Sequence, residues 1–206
     1  MAAVDDIVYV AAADGTVRGQ NTGIVMKDGQ KLLGAAAGLS VNGISILPRG
    51  AAPQLTNDSG AAIVTLANRN QIAGIDLNGQ GHAAFGIVGM NVTEFNLHDN
   101  IIRQANSVAG IDFSGFGIML QGRPSRIDDP PFVGTGSIAN NTISGNSQGG
   151  VFLATFGSPS SFTPTSARAD LVVDIHNNVI LDNGGHGIET LSGPPWRSEA
   201  IPDSCT

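Results

Sequence analysis

Two adjacent carboxylates and two nearby guanidinium groups form the densest charged cluster of this sequence. Asp128 and Asp129 follow Arg123 and Arg126 in a segment rich in Pro, Ser and Gly. The two carboxylates could bind a metal ion or act as general acid and base, with Arg126 as a clamp on the substrate. A solvated cluster of loop charges is the simpler alternative. All four residues are therefore candidate binding residues, and Asp128, Asp129 and Arg126 are also catalytic candidates.

Two histidines occupy equivalent places in a repeated pattern. His98 and His176 each stand two residues before a repeated Asn, and Ala139 stands at the equivalent place between them. If each repeat adds one strand to a sheet, the two rings are separated by two strand spacings, about 10 Å. That distance is too long for both rings to coordinate one metal ion at bonds of about 2.1 Å. The sequence predicts no metal site.

A short unit, Asn-x-Ile, returns along the chain and defines the elements that must position these residues. The units are Asn70-x-Ile72, Asn100-x-Ile102, Asn141-x-Ile143 and Asn178-x-Ile180. A Gly followed by a β-branched residue comes after each unit, in the pairs Gly86-Ile87, Gly110-Ile111, Gly150-Val151 and Gly187-Ile188. Alternation places the aliphatic side chain inward, and Gly and Asn tolerate the positive φ of a sharp corner. Each unit is therefore predicted to be a strand, a tight turn and a second strand.

One such unit cannot bury its apolar side, so the units must stack. The segment from Gly23 to Gly34 resembles the segment from Ile63 to Gly74, which extends the repeat toward the N-terminus. Stacking predicts one inward column of Leu32, Ile72, Ile102, Ile143 and Ile180. It also predicts a ladder of hydrogen-bonded corner side chains, as in stacked Asn ladders, formed by Asn70, Asn100, Asn141 and Asn178.

The predicted fold class is all-β, a right-handed parallel β-helix solenoid with two inserted loops. Residues 1–190 form the β-helix domain, and residues 191–206 form an irregular C-terminal tail or cap. The loops extend from Gln121 to Gly136 and from Phe156 to Arg168, where Pro, Ser and Gly are abundant. Insertions in solenoids cluster on one face, which is often the binding face.

The repeat also carries a family resemblance. The segments NTISGN and NVILDNGGHGIE resemble the repeat of the pectate-lyase-like superfamily of right-handed parallel β-helices. The stretches GIVMKDGQKLLGAAAGLSVNGISILP and GAAIVTLANRNQIAGIDL are similar to β-helix regions of large bacterial surface proteins, including autotransporter passengers and adhesins. The resemblance covers roughly residues 5 to 190 and implies a secreted, extracellular or cell-surface location.

The same resemblance suggests one further catalytic candidate. Polygalacturonase-type hydrolases of this fold carry an adjacent Asp pair and a Gly-His-Gly segment. This chain has Asp128-Asp129 and, more than one repeat later, His186 between two glycines. The repeat already accounts for Gly187, the glycine before Ile188, so coincidence is the alternative explanation. His186 is a catalytic candidate on the resemblance alone.

The charge and apolar content of the chain limit the classes of partner that it can bind. The chain has 206 residues, a net charge of −7 and only ten Lys and Arg residues, which is unfavourable for binding nucleic acid. The sequence has no uninterrupted stretch of about 18 apolar residues, so we expect no segment of it to insert into a membrane. Neither end offers an amphipathic capping helix, so we expect the chain to be one piece of a longer stack.

We expect a non-catalytic module that acts as a rigid scaffold or an adhesive passenger. Its loops would bind a carbohydrate or a host or cell-surface ligand, and it would need no cofactor. The alternative is a polysaccharide lyase or glycoside hydrolase of the pectate-lyase-like superfamily. Only the lyase form of that alternative implies calcium, and whether the chain is an enzyme stays open.

Overall fold

The computed structural model describes residues 2–12, 21–124, 131–156 and 169–193. Within these ranges every regular element is a β-strand, and nearly all strands pair in parallel. Sheet 1 contains, in spatial order, β1 (Ile7–Val10), β3 (Lys31–Gly34), β8 (Asn70–Ala73), β11 (Glu94–His98), β14 (Phe132–Ala139) and β17 (Ala169–His176).

The second and third parallel sheets follow the same scheme. Sheet 2 contains β2 (Ile24–Val25), β7 (Ala62–Thr65), β10 (Phe85–Met90), β13 (Phe116–Gly122), β16 (Gly149–Phe156) and β19 (Ile188–Gly193). Sheet 3 contains β6 (Gln54–Leu55), β9 (Asp76–Asn78), β12 (Ile101–Arg103), β15 (Thr142–Ser144) and β18 (Val179–Leu181). An antiparallel hairpin, β4 (Leu39–Val41) and β5 (Ile44–Leu47), stands apart from them.

The order in which the chain visits the sheets is constant. From β6 onward it passes through sheet 3, then sheet 2, then sheet 1, and begins again. We call one such passage a circuit. Each new strand pairs in parallel with the strand of the preceding circuit in the same sheet. The prediction of an all-β chain with parallel sheets is therefore confirmed, and the arrangement is compatible with a β-helix.

Columns of aliphatic side chains form the core between the sheets. Because side chains alternate along a strand, one residue in two faces inward, and the parallel register places these residues above one another. The central members have no solvent-accessible surface. They are Ile72, Leu97 and Ile138 in sheet 1, Val64, Ile87, Ile118 and Val151 in sheet 2, and Leu77, Ile102 and Ile143 in sheet 3.

The single inward column predicted from the Asn-x-Ile units was wrong. Leu32 and Ile72 are register partners in sheet 1, whereas Ile102, Ile143 and Ile180 are register partners in sheet 3. Asn70 begins a strand of sheet 1, but Asn100 lies at the corner between sheets 1 and 3. An inward aliphatic residue two places after Asn suits both positions, so this short pattern does not distinguish the sheets.

Side-chain amides form a ladder at the corner between sheets 1 and 3. The Asn141 Oδ1 atom accepts hydrogen bonds from the backbone N–H of Asn100 at 3.0 Å and from its Nδ2 at 3.1 Å. The Asn178 Oδ1 atom accepts the same pair from Asn141, at 2.9 and 3.0 Å. Asn141 Nδ2 also donates to the buried carbonyl of Leu97 at 2.9 Å.

Asn70, predicted as the first member of this ladder, lies elsewhere. Its Oδ1 accepts from the N–H of Ala67 at 2.6 Å, and its Nδ2 donates to the carbonyls of Lys27 and Gln30. A local turn before β8 therefore uses this amide. Gln30 performs the same task one circuit earlier, where its Oε1 accepts from the N–H of Lys27 at 2.8 Å.

The glycine that precedes each inward residue of sheet 2 also differs from the prediction in one circuit. Gly117-Ile118, and not Gly110-Ile111, is the register equivalent of Gly150-Val151. A segment between Asn106 and Gly115, inserted at this corner, displaces the match. A Cβ on Gly117 would lie 2.8 Å from both Ile143 Cγ2 and Asn146 Nδ2, so this tight corner has no room for a side chain.

We expect Asn141→Ala to lower the free energy of unfolding by about 3–5 kcal/mol, because several buried polar groups lose their partners at once. Asn106→Ala is the matched control: Asn106 is exposed, and among the described residues its amide bonds only Gly81 and Ser107. That variant should lose no more than about 1 kcal/mol. Equal losses in urea unfolding of the two variants would contradict the structural role given to the ladder.

The Gly column predicts a contrast between two identical substitutions. Gly117→Ala should destabilise the chain by about 1–3 kcal/mol through overpacking. Gly187→Ala, at the equivalent place in the last described circuit, should change stability by less than about 0.5 kcal/mol, since its Cβ would lie 3.5 Å from Ile180 Cγ2, the nearest atom of the described residues. Thermal unfolding of both variants tests the difference.

Candidate ligand-binding groove

The outer face of sheet 2 carries a buried apolar patch, unlike the face of an ordinary solvated sheet. Because Ile118 and Val151 face inward, their neighbours Met119 and Phe152 face outward. These outward residues form a second hydrophobic cluster, separate from the core between the sheets, and they are nevertheless buried. Its buried members are Ala62, Ala84, Phe85, Phe116, Met119, Phe152, Ala154 and Phe156.

The inserted segment between Asn106 and Gly115 packs against this outer cluster. Its residues Val108, Ile111 and Phe113 contact the buried members. The Ser114 hydroxyl closes the segment on itself, accepting from the N–H of Val108 at 2.8 Å and donating to its carbonyl at 3.2 Å. This closure fixes the segment above β13 and β16, so its side chains are held in place on the sheet.

Three phenylalanine rings form the centre of the cluster. The Phe152 ring lies between Phe113, with ring centroids 5.0 Å apart, and Phe116, with centroids 4.9 Å apart. Both pairs are stacked, a geometry that contributes about 0.5–1.5 kcal/mol beyond simple burial. Gly149 makes this packing feasible, since a Cβ there would lie 2.5 Å from the ring of Phe116.

A groove of about 410 Å³ lies where the inserted segment meets the sheet. The described residues that line it are Ser107, Ile111, Asp112, Phe113, Ser114, Phe116, Gln148 and Glu189. Its volume lies in the range of small-ligand sites, and the described lining combines three apolar with five polar side chains. Gln148 Nε2 donates to Ser107 Oγ at 2.9 Å, which holds one rim in a defined position.

Both charged groups among the described lining residues are carboxylates. Asp112 belongs to the inserted segment and is exposed, whereas Glu189 is half-buried on β19. Glu189 is the register partner of Phe152 on the neighbouring strand, so its side chain stands beside the stacked rings. The groove therefore combines an aromatic wall with negative charge.

The structure separates the sequence-predicted site residues. Arg126, Asp128 and Asp129 lie outside the described residues. Arg123 is half-buried after β13, and its backbone N–H donates to Asn91 Oδ1 at 2.6 Å. His186 is exposed at the corner before β19, where its carbonyl accepts from the N–H of Gly150 at 3.0 Å. Neither Arg123 nor His186 is among the described lining residues of the groove.

The two histidines on the outer face of sheet 1 occupy one register column, with Ala139 between them. Gln71 Nε2 donates to His98 Nε2 at 2.8 Å, which leaves the proton on Nδ1 to be donated to Asp99 Oδ2 at 2.8 Å. This arrangement fixes the orientation of the His98 ring. In the part of the chain that the structure describes, no three His, Cys, Asp or Glu side chains are grouped to hold a metal ion.

A bidentate ion pair lies on the outer face of sheet 3. Arg103 Nε donates to Asp76 Oδ1 at 3.0 Å, and its Nη2 donates to Oδ2 at 2.8 Å. The hydrogen bond to Asp76 raises the pKa of Arg103 above its ordinary value. Burial acts in the opposite direction, and Coulomb attraction to Asp76 adds to the increase. The pair joins adjacent circuits through β12 and β9.

Sequence reasoning missed the groove residues for an identifiable reason. Asp112 and Phe113 follow Gly110-Ile111, a pair that the repeat pattern predicts to be a strand. In the structure this pair lies in the inserted segment. Two phenylalanines at Phe113 and Phe116, in a chain with only eight Phe residues, were the available signal for an extra apolar surface.

No family model, curated protein or solved structure matches this chain. Within the ranges that the structure describes, no helix is long and apolar enough to span a membrane. The interpretation of the groove therefore depends on its geometry and charge.

We expect the Arg103–Asp76 pair to contribute less than about 1 kcal/mol, since Arg103 is partly solvated. A raised pKa means that the contribution is complete below the ordinary arginine pKa and is lost only as the pH rises through the higher folded-state value. A double-mutant cycle with Arg103→Gln and Asp76→Asn should give the same coupling at about pH 6 and about pH 9. A coupling energy that is clearly smaller at the higher pH than at the lower pH would contradict the raised pKa of Arg103.

Proposed function

We propose that this chain is a right-handed parallel β-helix that acts as a rigid, non-catalytic scaffold and presents the groove on sheet 2 to a partner molecule. The constant visiting order of three parallel sheets supports the helical part of the proposal. Right-handedness follows from the strong general preference of parallel crossover connections for that hand. The observation that carries the binding role is the preformed groove over the Phe113, Phe116 and Phe152 cluster.

Rigidity is supported by the way adjacent circuits are joined. Buried amides link Asn100, Asn141 and Asn178, and a second pair of Asn side chains, Asn146 and Asn183, repeats this contact at the corner between sheets 3 and 2. Polar side chains that are fully paired favour one fixed arrangement of the backbone. A surface held in this way binds with little loss of conformational freedom.

The family resemblance supports a location for this scaffold. The repeat segments are similar to β-helix regions of bacterial surface and autotransporter-like proteins, so we place the chain in an adhesive passenger or a secreted protein. In that setting the groove, together with the two Pro- and Ser-rich segments, would bind a carbohydrate or another cell-surface ligand. The described groove residues need no cofactor for such a role.

A polysaccharide lyase or glycoside hydrolase is the second candidate function. Asp112 and Glu189 line one groove, and paired carboxylates can act as general acid and base in glycoside hydrolysis. Asp128, Asp129 and Arg126 remain predicted catalytic candidates for this alternative, and a lyase would use calcium. Asp112 is exposed, whereas a catalytic acid usually lies in a desolvated pocket, so this exposure favours the scaffold.

Incubation of the purified chain with pectate, alginate and neutral oligosaccharides, with and without calcium, tests the non-catalytic role. We expect no release of unsaturated products or reducing ends in any of these mixtures. Product release that disappears in Asp112→Asn or Glu189→Gln would overturn the scaffold proposal and establish the hydrolase alternative at this groove. Product release that survives both variants would place an active site elsewhere.

A further inference from the structure

The strands of the last described circuit form an open edge. Among the described strands, β17, β18 and β19 each stand at one end of their sheet, with a paired neighbour on one side only. The backbone N–H and C=O groups on the other side of such a strand are a template for a further strand. We call this surface, formed by residues 169–193, the open edge.

The core columns reach the surface at the open edge. Ile188 is 46% exposed, whereas Val151, its register partner one circuit earlier, has no accessible surface. Ile175 and Ile180 are half-buried, although the equivalent residues one circuit earlier are fully buried. Inward aliphatic side chains of a stacked repeat are normally covered by the next repeat. The open edge therefore has the chemistry of an interior layer.

Both ladders of asparagine side chains end at the open edge with unused donors. The backbone N–H groups of Asn100 and Asn141 each donate to the Oδ1 atom of the next corner residue, which is Asn178 for the second of them. The N–H of Asn146 donates in the same way to Asn183 Oδ1 at 3.1 Å. In the part of the chain that the structure describes, the N–H groups of Asn178 and Asn183 have no acceptor. A circuit added here would meet both donors with an acceptor oxygen at each corner.

The side chain of Asn178 differs from that of Asn141 in one hydrogen bond. Asn141 Nδ2 donates to the carbonyl of Leu97 and to the next corner amide, Asn178 Oδ1. Asn178 Nδ2 donates to the carbonyl of Ile138 and, at 3.0 Å, to the carbonyl of His176 on its own strand. An exposed local bond thus takes the place of a contact between circuits, and an incoming acceptor can replace it.

A recess of about 150 Å³ opens between sheets 1 and 2 at the same edge. Leu153, Leu171 and Thr190 are among the described residues that line it. Both leucines pack against the main core, so the recess lies against the interior. Thr190 is the register partner of Leu153. An aliphatic residue stacked on Thr190 from the other side would fill the recess.

We infer that the open edge binds a partner polypeptide by parallel strand addition, and that the partner carries the pattern Ile-x-x-Asn-x-Ile-x-x-Asn. The last two described circuits share this pattern, at Ile138, Asn141, Ile143 and Asn146 and at Ile175, Asn178, Ile180 and Asn183. The two isoleucines of the partner cover the half-buried column residues, and its two asparagines accept from the unused N–H donors. Main-chain pairing supplies affinity, and these side chains supply specificity.

The inference depends on the stacking of circuits and not on the groove of sheet 2. It therefore goes beyond the proposed scaffold role by adding a second binding surface for a different class of partner.

The test is an NMR titration of the full ¹⁵N-labelled chain with an end-blocked peptide that copies residues 137–154 of the chain. A matched peptide has leucine in place of the two residues that correspond to Asn141 and Asn146. We expect the first peptide to shift the amide resonances of Asn178 and Asn183 and to protect them from hydrogen exchange. The leucine peptide should bind about tenfold more weakly, because the two N–H groups would be covered without an acceptor. Apolar attraction alone predicts the opposite order, since leucine is the more apolar residue.

Two identical substitutions separate the open edge from other exposed apolar surface. Ile188→Glu should weaken binding several-fold, because the added strand would bury a charge at that position. Val25→Glu is the control, since Val25 is 76% exposed on β2, at the opposite end of sheet 2. It introduces the same charge and should leave binding unchanged. The comparison of the two peptides needs no variant, so the test remains decisive if Ile188→Glu disturbs folding.

Four results would overturn the inference. The first two are binding of the leucine peptide at least as tight as that of its parent, and equal weakening by Ile188→Glu and Val25→Glu. The third is full protection of the Asn178 and Asn183 amides in the free chain at low concentration, which would show that the protein itself covers this edge. The fourth is self-association that Ile188→Glu abolishes, which would assign the edge to a second copy. Failure of the proposed scaffold role would appear instead as product release in the polysaccharide assays.

Discussion

Each circuit of this chain must turn sharply at its corners without leaving buried peptide groups unpaired. The Asn side chain meets this constraint because one amide supplies both an acceptor and two donors. Asn141 accepts from the backbone and side chain of Asn100, and it donates to Leu97 and Asn178. Its hydrogen bonds thus reach the circuits on both sides. The columns of Ile and Leu depend on this corner, since it holds the parallel register in which they stack.

Two neighbouring requirements meet at the corner between sheets 3 and 2. The Asn146 amide must reach Ala105 and Asn183, and the adjacent backbone must pass close to Ile143. Gly117 satisfies both because it has no side chain. On the other face of the same sheet, Gly149 leaves the space into which the Phe116 ring packs. The two glycines, which have no side chains, therefore allow the close packing of both the core and the wall of the groove.

The sequence predicted the parallel all-β architecture because its period is a property of every circuit. It did not separate sheet 1 from sheet 3, since an inward aliphatic residue two places after Asn satisfies either position, as Ile72 and Ile102 show. The match at Gly110-Ile111 failed because an inserted segment displaced the equivalent glycine to Gly117. The groove could not be predicted, because Asp112 and Glu189 come together only through the stacking of β13, β16 and β19.

The insertion between Asn106 and Gly115 has a consequence for how such a chain can change during evolution. Ala105 still donates to Asn146 before the insertion, and Ile118 still joins its column after it. Chain length at this corner is therefore independent of the register on either side. New loops can be gained or lost there without repacking the interior, so the surface around the groove can diversify while the folding of the repeats is retained.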